Sequence, residues 1–231
     1  MTYTSTISAV KANRLFWLGR YAERTYLNLH LLRKYFDLHI DEDEGEYDVY
    51  FEKLGIDTAE SSESKFMRQM YDRSSCTSVI NDIERANDNA ILLREEIQSE
   101  TLSYIQLSRS LIHTLAGECN PNITAMQPVT DYMLAFWGSI AERIPNGLIR
   151  NFLEAGRYVE KIDMYIRFDY PFGKVRSVFD NLMHCVANDP AVFNHDVVRK
   201  MSELMREDLY LDGGAHYKGT LLCYVNSIVV I

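Results

Sequence analysis

Two segments of the chain carry the same hexapeptide pattern, Gly-Arg-Tyr-x-Glu-Arg/Lys, at residues 19–24 and 156–161. Around each copy, apolar residues recur about every 3.5 positions, which is the spacing of one face of an α-helix. The first stripe consists of Leu15, Leu18, Ala22, Thr25, Leu29, Leu32 and Phe36, and the second of Phe152, Ala155, Val159, Ile162 and Ile166. The repeat therefore predicts two long helices with similar surfaces.

The charged residues of the pattern lie on the opposite face of each helix. At about 100° per residue, Arg20 and Glu23 point away from the stripe, yet Phe16, Leu27 and Leu31 share their face. A helix that is apolar on both faces is normally buried, and buried charges need partners. We therefore predict that the Arg/Glu pairs of the repeat are buried or half-buried, and paired.

A glycine opens each copy of the pattern. Glycine inside a helix costs about 1 kcal/mol relative to alanine, so its presence needs a reason. At Gly19 and Gly156 we expect another backbone or a ligand to approach closely.

The composition favours helices, because 231 residues include only five Pro and eleven Gly. We predict an all-α fold, a single-domain bundle of long helices over 1–231 in which the two motif helices lie near each other. The predicted helices cover 8–38, 47–54, 63–71, 78–116, 128–143, 147–169, 174–188 and 190–210, with a final element after a turn at 212–214. In the helix over 78–116 the predicted stripe is Ile83, Ala86, Ala90, Leu93, Ile97, Tyr104, Leu107 and Leu111, with Glu100 on the seam.

Two segments stand apart from the rest. Residues 41–63 hold ten acidic residues and one Lys, which accounts for the whole net charge of −9. A solvated acidic loop explains them, and an acidic docking surface or a cation loop is the alternative, although the EF-hand spacing is absent. The hydrophobic C-terminal element, 216–231, ends in an apolar run too short to span a bilayer. It is expected to dock on the fold or to join copies in a homo-oligomer.

The usual signatures of catalysis and cofactor binding are missing from the sequence. It has no glycine-rich phosphate loop, no G-x-S-x-G and no H-E-x-x-H, and its six His and four Cys are dispersed. We therefore expect no cofactor and no metal. Nucleic-acid binding is not expected, because no basic stripe is present. With no signal-peptide pattern and no C-x-x-C pair, a cytoplasmic protein is predicted that contacts no membrane.

The charged repeat defines the candidate site. Four cations and two carboxylates of the two motif helices could enclose an anion such as a carboxylate or phosphate, and an Asn and an Arg of the 78–116 helix share one face nearby. The candidate residues are Arg20, Glu23, Arg24, Asn87, Arg94, Arg157, Glu160 and Lys161. A salt-bridge network that only fixes the register of the bundle is the alternative.

Three blocks of the sequence resemble the bacterial alpha-E family, which is named for predicted helices and an E-R motif. The residues 13–24 (NRLFWLGRYAER) look like its opening, 85–100 are similar to its central block, and 151–161 (NFLEAGRYVEK) resemble its third block. The resemblance spans about 5–210. Lys161 departs from the usual Arg and Asp88 from the commoner Glu.

The resemblance implies a cytosolic bacterial all-α protein without an established reaction. Family members are often encoded beside, or fused to, ATP-grasp-type ligases, and also beside transglutaminase-like proteins. Our first hypothesis is an auxiliary protein of such a peptide- or amide-forming system, whose Arg/Glu/Asn cluster binds an anionic group. The alternatives are an enzyme of acyl or amide chemistry with Glu23 or Glu160 as general base, and a purely structural assembly module.

Overall fold

The backbone is helical almost throughout, in a computed structural model that describes residues 7–41, 46–56, 61–120 and 122–230. Two short 3₁₀ turns, Ile123–Met126 and Pro190–Val192, and one isolated bridge between Phe193 and Val229 complete the described structure. The α-helices of the described residues are α1 (Ala9–Asp41), α2 (Glu46–Lys53), α3 (Ser62–Tyr71), α4 (Val79–Leu92), α5 (Arg94–Ile97), α6 (Ser99–Gly117), α7 (Gln127–Arg143), α8 (Gly147–Arg167), α9 (Phe172–Asn188), α10 (His195–Leu204), α11 (Glu207–Asp212) and α12 (Gly214–Asn226).

The predicted all-α fold is confirmed, and so is the repeat on two helices, α1 and α8. The predicted helices over 8–38, 47–54, 63–71, 128–143, 147–169 and 174–188 match α1, α2, α3, α7, α8 and α9. Local chemistry sets some of these boundaries. The side chain of Asn146 accepts a hydrogen bond from the N–H of Leu148 at 3.0 Å, which caps the start of α8.

The single helix predicted over 78–116 is wrong. The chain leaves the helix at Leu93 and again at Gln98, whose φ of 68° lies in the left-handed region. Helices α4 and α6 then pack against each other, which one straight helix could not do. The turn also changes the buried face, since Leu107 is 47% exposed and Glu100 is exposed, whereas α6 buries Thr101, Leu102, Ile105, Ser108, Ile112 and Leu115.

The single helix predicted over 190–210 is wrong as well. The backbone N–H of Asn194 donates to the carbonyl of Ile228 at 2.8 Å, and that of Val230 donates to Val192 at 3.0 Å. Because these groups are engaged across the bridge, α10 begins only after Asn194, whose side chain caps it. An extended Arg206 then separates α10 from α11.

The chain divides into two compact units. The terminal unit comprises the residues up to Arg20 and those from Asn146 onward, and the central unit comprises Tyr21–Pro145. In the terminal unit α8 packs on α9 and α12, around a core that includes Val159, Ile162 and Phe179. The assignment of 1–231 to one domain stays a prediction.

Part of the acidic segment packs in the central unit. Helix α2 buries Tyr50 and Phe51 completely. The ammonium of Lys65, which is also buried, contacts the carboxylate of Asp48 at 2.6 Å. A solvated loop therefore does not describe 46–53, while residues 42–45 and 57–60 lie outside the described ranges.

The C-terminal element docks on the terminal unit, as expected. Leu221, Val225 and Ile228 are buried in the core, and the bridge at Val229 holds the end of the chain. Val230 is 58% exposed. Homo-oligomer formation through this element stays a prediction.

Candidate functional site

The candidate residues fall into both units. Those in the terminal unit are Arg20, Arg157, Glu160 and Lys161, and those in the central unit are Glu23, Arg24, Asn87 and Arg94. Within the terminal unit the structure brings Arg20 and Glu160 into direct contact. Arg157 and Lys161 are half-buried on the same helix as Glu160.

The two motif glycines lie at a close crossing of α1 and α8. A Cβ added to Gly19 would sit 2.1 Å from the carbonyl oxygen of Leu153, and one added to Gly156 would sit 2.0 Å from that of Phe16. The contact is reciprocal. Each glycine faces the backbone carbonyl of the residue that stands three positions before the other glycine in the sequence. The predicted close approach is confirmed, and the group that approaches is backbone.

This crossing places Arg20 beside Glu160 in a buried ion pair. The Nε of Arg20 donates to Oε2 of Glu160 at 2.9 Å, and its Nη2 lies 2.8 Å from the same oxygen. Arg20 is 4% exposed and Glu160 1%, so the predicted burial of these charges is confirmed. The guanidinium carbon also lies 5.1 Å from the ring centroid of Trp17, within cation–π distance. The pair joins the two copies of the motif.

Two residues that the sequence reasoning missed extend this pair. The Oδ1 of Asn226 accepts a hydrogen bond from Nη2 of Arg20 at 2.9 Å, and its Nδ2 donates to Asp163 at 2.7 Å. Asp163 in turn accepts from Nε of Arg167 at 2.5 Å. The available signal was an Asn within an apolar C-terminal run, since an amide there needs polar partners.

A second group of charges lies in the central unit, around the ring of Tyr21. The guanidinium carbons of Arg24 and Arg85 lie 5.9 Å and 5.7 Å from the centroid of that ring. The Nη1 of Arg24 is 3.7 Å from the buried carboxylate of Asp82. Neither Arg85 nor Asp82 was among the predicted site residues. Their position three residues apart near the start of α4 was the only signal.

Asn87 and Arg94 do not join that group. On α4, Asn87 follows Glu84 by three residues, so it lies on the flank that faces α6, whereas Asp82 and Arg85 face α1. Asn87 is 7% exposed and Arg94 is exposed, and neither side chain has a hydrogen-bond partner among the described residues. Glu23 is fully buried on α1.

Between α4 and α6 lies a further charged cluster, centred on Glu84. Its carboxylate accepts from Nε of Arg109 at 2.7 Å and contacts Nε2 of His113, while Arg73 contacts the other ring nitrogen of His113 at 3.1 Å. Burial alone would raise the pKa of Glu84, but the hydrogen bonds from Arg109 and His113 outweigh it and lower the pKa.

This lowered pKa predicts an acid-sensitive contribution to stability. A carboxyl whose folded pKa lies below its unfolded value, here 4.5, stabilises the fold above that value, and this stabilisation is lost as the pH falls through the folded pKa. We therefore expect Glu84→Gln to lower the thermal midpoint at pH 7, and the gap to the wild type to narrow towards pH 3. The measurement is a series of melting curves from pH 7 to pH 3. Glu100→Gln is the control, because Glu100 is exposed and should show no such trend.

The described residues contain no group of three or more His, Cys, Asp or Glu that could hold a metal ion. Burial raises the pKa of the Cys185 thiol to about 12, which makes it a poor nucleophile.

None of the helices in the described part of the chain is both long and apolar enough to cross a bilayer.

Comparisons with known proteins agree with the geometry of the motif helices. Neither the curated proteins nor the solved structures contain a match to this chain. The Alpha-E family model, described as a predicted alpha-helical domain with a conserved ER motif, matches residues 9–172. That range contains both copies of the hexapeptide and most of the chain, and we conclude that the chain belongs to the Alpha-E family.

Proposed function

We propose that this chain is an auxiliary helical protein of a bacterial, cytoplasmic system that forms peptide or amide bonds, with an ATP-grasp-type ligase or a transglutaminase-like protein as its partner. The observation that supports an auxiliary role is the engagement of Arg20. Its guanidinium donates to Glu160 and Asn226 while it is 4% exposed. In this proposal the buried pair fixes how α1 and α8 fit together, so the terminal-unit half of the motif serves assembly.

In each unit by itself, the anion-binding role then falls on the more accessible members of the candidate set. Arg24, Arg157 and Lys161 are half-buried and Arg94 is exposed. Guanidinium and ammonium groups that reach solvent can bind a carboxylate or phosphate of the partner's substrate without the loss of a buried pair.

Catalysis by Glu160 is not favoured by its surroundings. A general base needs an oxygen within hydrogen-bond reach of the substrate proton. The Oε2 of Glu160 already accepts from Arg20, and Glu160 is 1% exposed. Glu23, the other candidate base, is fully buried.

A reconstitution with the ATP-grasp-type ligase of the same genome tests the proposal. We expect the purified chain to form a complex with the ligase in size-exclusion chromatography with light scattering, and to raise the rate of amide formation that the ligase shows alone. The chain without ligase should give no product. Absence of both complex and stimulation, with the transglutaminase-like protein as well, would overturn the proposal. Turnover by the chain alone that Glu23→Gln abolishes would establish the catalytic alternative instead.

A further inference from the structure

Two arginines converge on one aromatic ring in the central unit. Arg24 comes from the same helix as Tyr21, and Arg85 comes from α4. Both guanidinium carbons lie within 6 Å of the ring centroid, at 5.9 Å and 5.7 Å. We propose that Arg24 and Arg85 form a binding site for an oxyanion, a carboxylate or phosphate group, beside Tyr21. This site rests on the proposed function, which already gives Arg24 an anion-binding role, and it names the residues and the ligand chemistry of that role.

The orientation of Arg85 favours such a ligand. Its Nη1 donates to the carbonyl oxygen of Cys76 at 2.7 Å, which holds the guanidinium in place. Its Nε and Nη2 have no acceptor among the residues that the structure describes, and the side chain is half-buried. These two nitrogens form the edge that binds the two oxygens of a carboxylate or phosphate side by side.

The charges around the ring favour an anion as well. The two guanidinium groups carry two positive charges, and Asp82 supplies one negative charge. Asp82 is completely buried, whereas the side chain of Arg24 is 21% exposed, so the carboxylate lies on the protein side of Arg24. Both guanidinium groups reach solvent, since the Arg85 side chain is half-buried as well, whereas the carboxylate of Asp82 does not.

The ring of Tyr21 restricts the positions of the two guanidinium groups before a ligand binds. Tyr21 precedes Arg24 by three residues, and the side chains of such a pair are neighbours on a helix surface. Contact with a ring face limits the rotamers of a guanidinium, so less conformational entropy is lost when an anion binds. A site assembled from α1 and α4 in this way is fixed before its ligand arrives.

Titration of the purified chain with inorganic phosphate and, separately, with acetate tests the site. Heats of binding are measured at constant ionic strength, with chloride as the balancing anion. We expect Arg85→Gln to weaken binding roughly ten-fold, because charge-assisted hydrogen bonds are lost. Arg85→Lys keeps the charge without the planar fork and should also weaken binding, although less. Arg143→Gln is the matched control, because this exposed arginine of the central unit has no side-chain partner in the described residues, and it should bind as the wild type does.

The outcomes separate the two sources of oxyanion. Binding of phosphate alone assigns the site to phosphate groups, binding of acetate alone assigns it to carboxylates, and binding of both assigns it to either. Failure of both anions to bind would overturn the proposal, as would equal binding by the wild type and Arg85→Gln. Melting curves without ligand show whether Arg85→Gln is folded, and Arg85→Lys serves in its place if it is not. Because no ligase is present, neither result bears on the proposed partner.

Discussion

Replacing Gly156 with alanine should lower the free energy of unfolding by at least about 3 kcal/mol, or prevent folding of the terminal unit. The added Cβ would lie 2.0 Å from the carbonyl oxygen of Phe16, a backbone atom that no rotamer change can move. Helices α1 and α8 would have to separate, which would also strain the buried Arg20–Glu160 pair. Gly19→Ala should act similarly, since its Cβ would lie 2.1 Å from the carbonyl oxygen of Leu153. Urea unfolding followed by circular dichroism measures both losses.

The chain supplies a matched control in Gly219. This glycine also lies inside a helix, α12, but a Cβ there would meet open space. Gly219→Ala should therefore stabilise the protein by about 0.5–1 kcal/mol, the ordinary gain in helix propensity. If Gly156→Ala behaved like Gly219→Ala, the close crossing of the motif helices would be wrong.

The second large effect is expected at the buried ion pair. Glu160→Leu leaves the guanidinium of Arg20 buried without its carboxylate, and loss of one partner of a buried pair costs about 3–5 kcal/mol. Arg20→Met leaves the carboxylate of Glu160 without this partner and should cost a similar amount. The double variant, Arg20→Met with Glu160→Leu, should recover much of the loss, because it replaces both charges with apolar side chains. Urea unfolding of all four proteins completes a double-mutant cycle.

An exposed pair provides the comparison for this cycle. Arg199 and Asp196 lie 3.2 Å apart with side chains 66% and 81% exposed. The same cycle on this pair should give a coupling of about 0–1 kcal/mol. A coupling between Arg20 and Glu160 that is equally small would show that the motif charges do not hold α1 and α8 together.

The burial of Arg20 and the close approach at Gly19 could be predicted from the sequence. Glycine inside a helix and a charge on an apolar face are both unfavourable without a partner, so Gly19 and Arg20 indicated that something must meet them. The sequence predicted that the two motif helices lie near each other, but not that Arg20 pairs with Glu160 of the other copy. These rules do not identify a partner that lies far away in the sequence. For this reason they did not predict the contact between Arg20 and Asn226.

The errors in helix boundaries have a different cause. Gln98 turns the chain with a φ of 68°, although neither Gly nor Pro stands at 93–98 to mark a break. The helical spacing of apolar residues continues through that turn, so this spacing by itself predicts one continuous helix. The chain instead turns so that α4 packs on α6, and packing between residues distant in sequence cannot be read from a local pattern.

The contact between Arg20 and Asn226 affects how the family can be compared. The family match ends at residue 172, within the terminal unit, whereas Asn226 lies in α12. A fragment cut at the end of the match would lose the amide that accepts from Arg20 and the apolar side chains of α12 that cover the core around α8. The matched segment is thus shorter than the structural unit that surrounds its own motif. Alignments of relatives should therefore be extended beyond the match, to find which side chain takes the place of Asn226 in each.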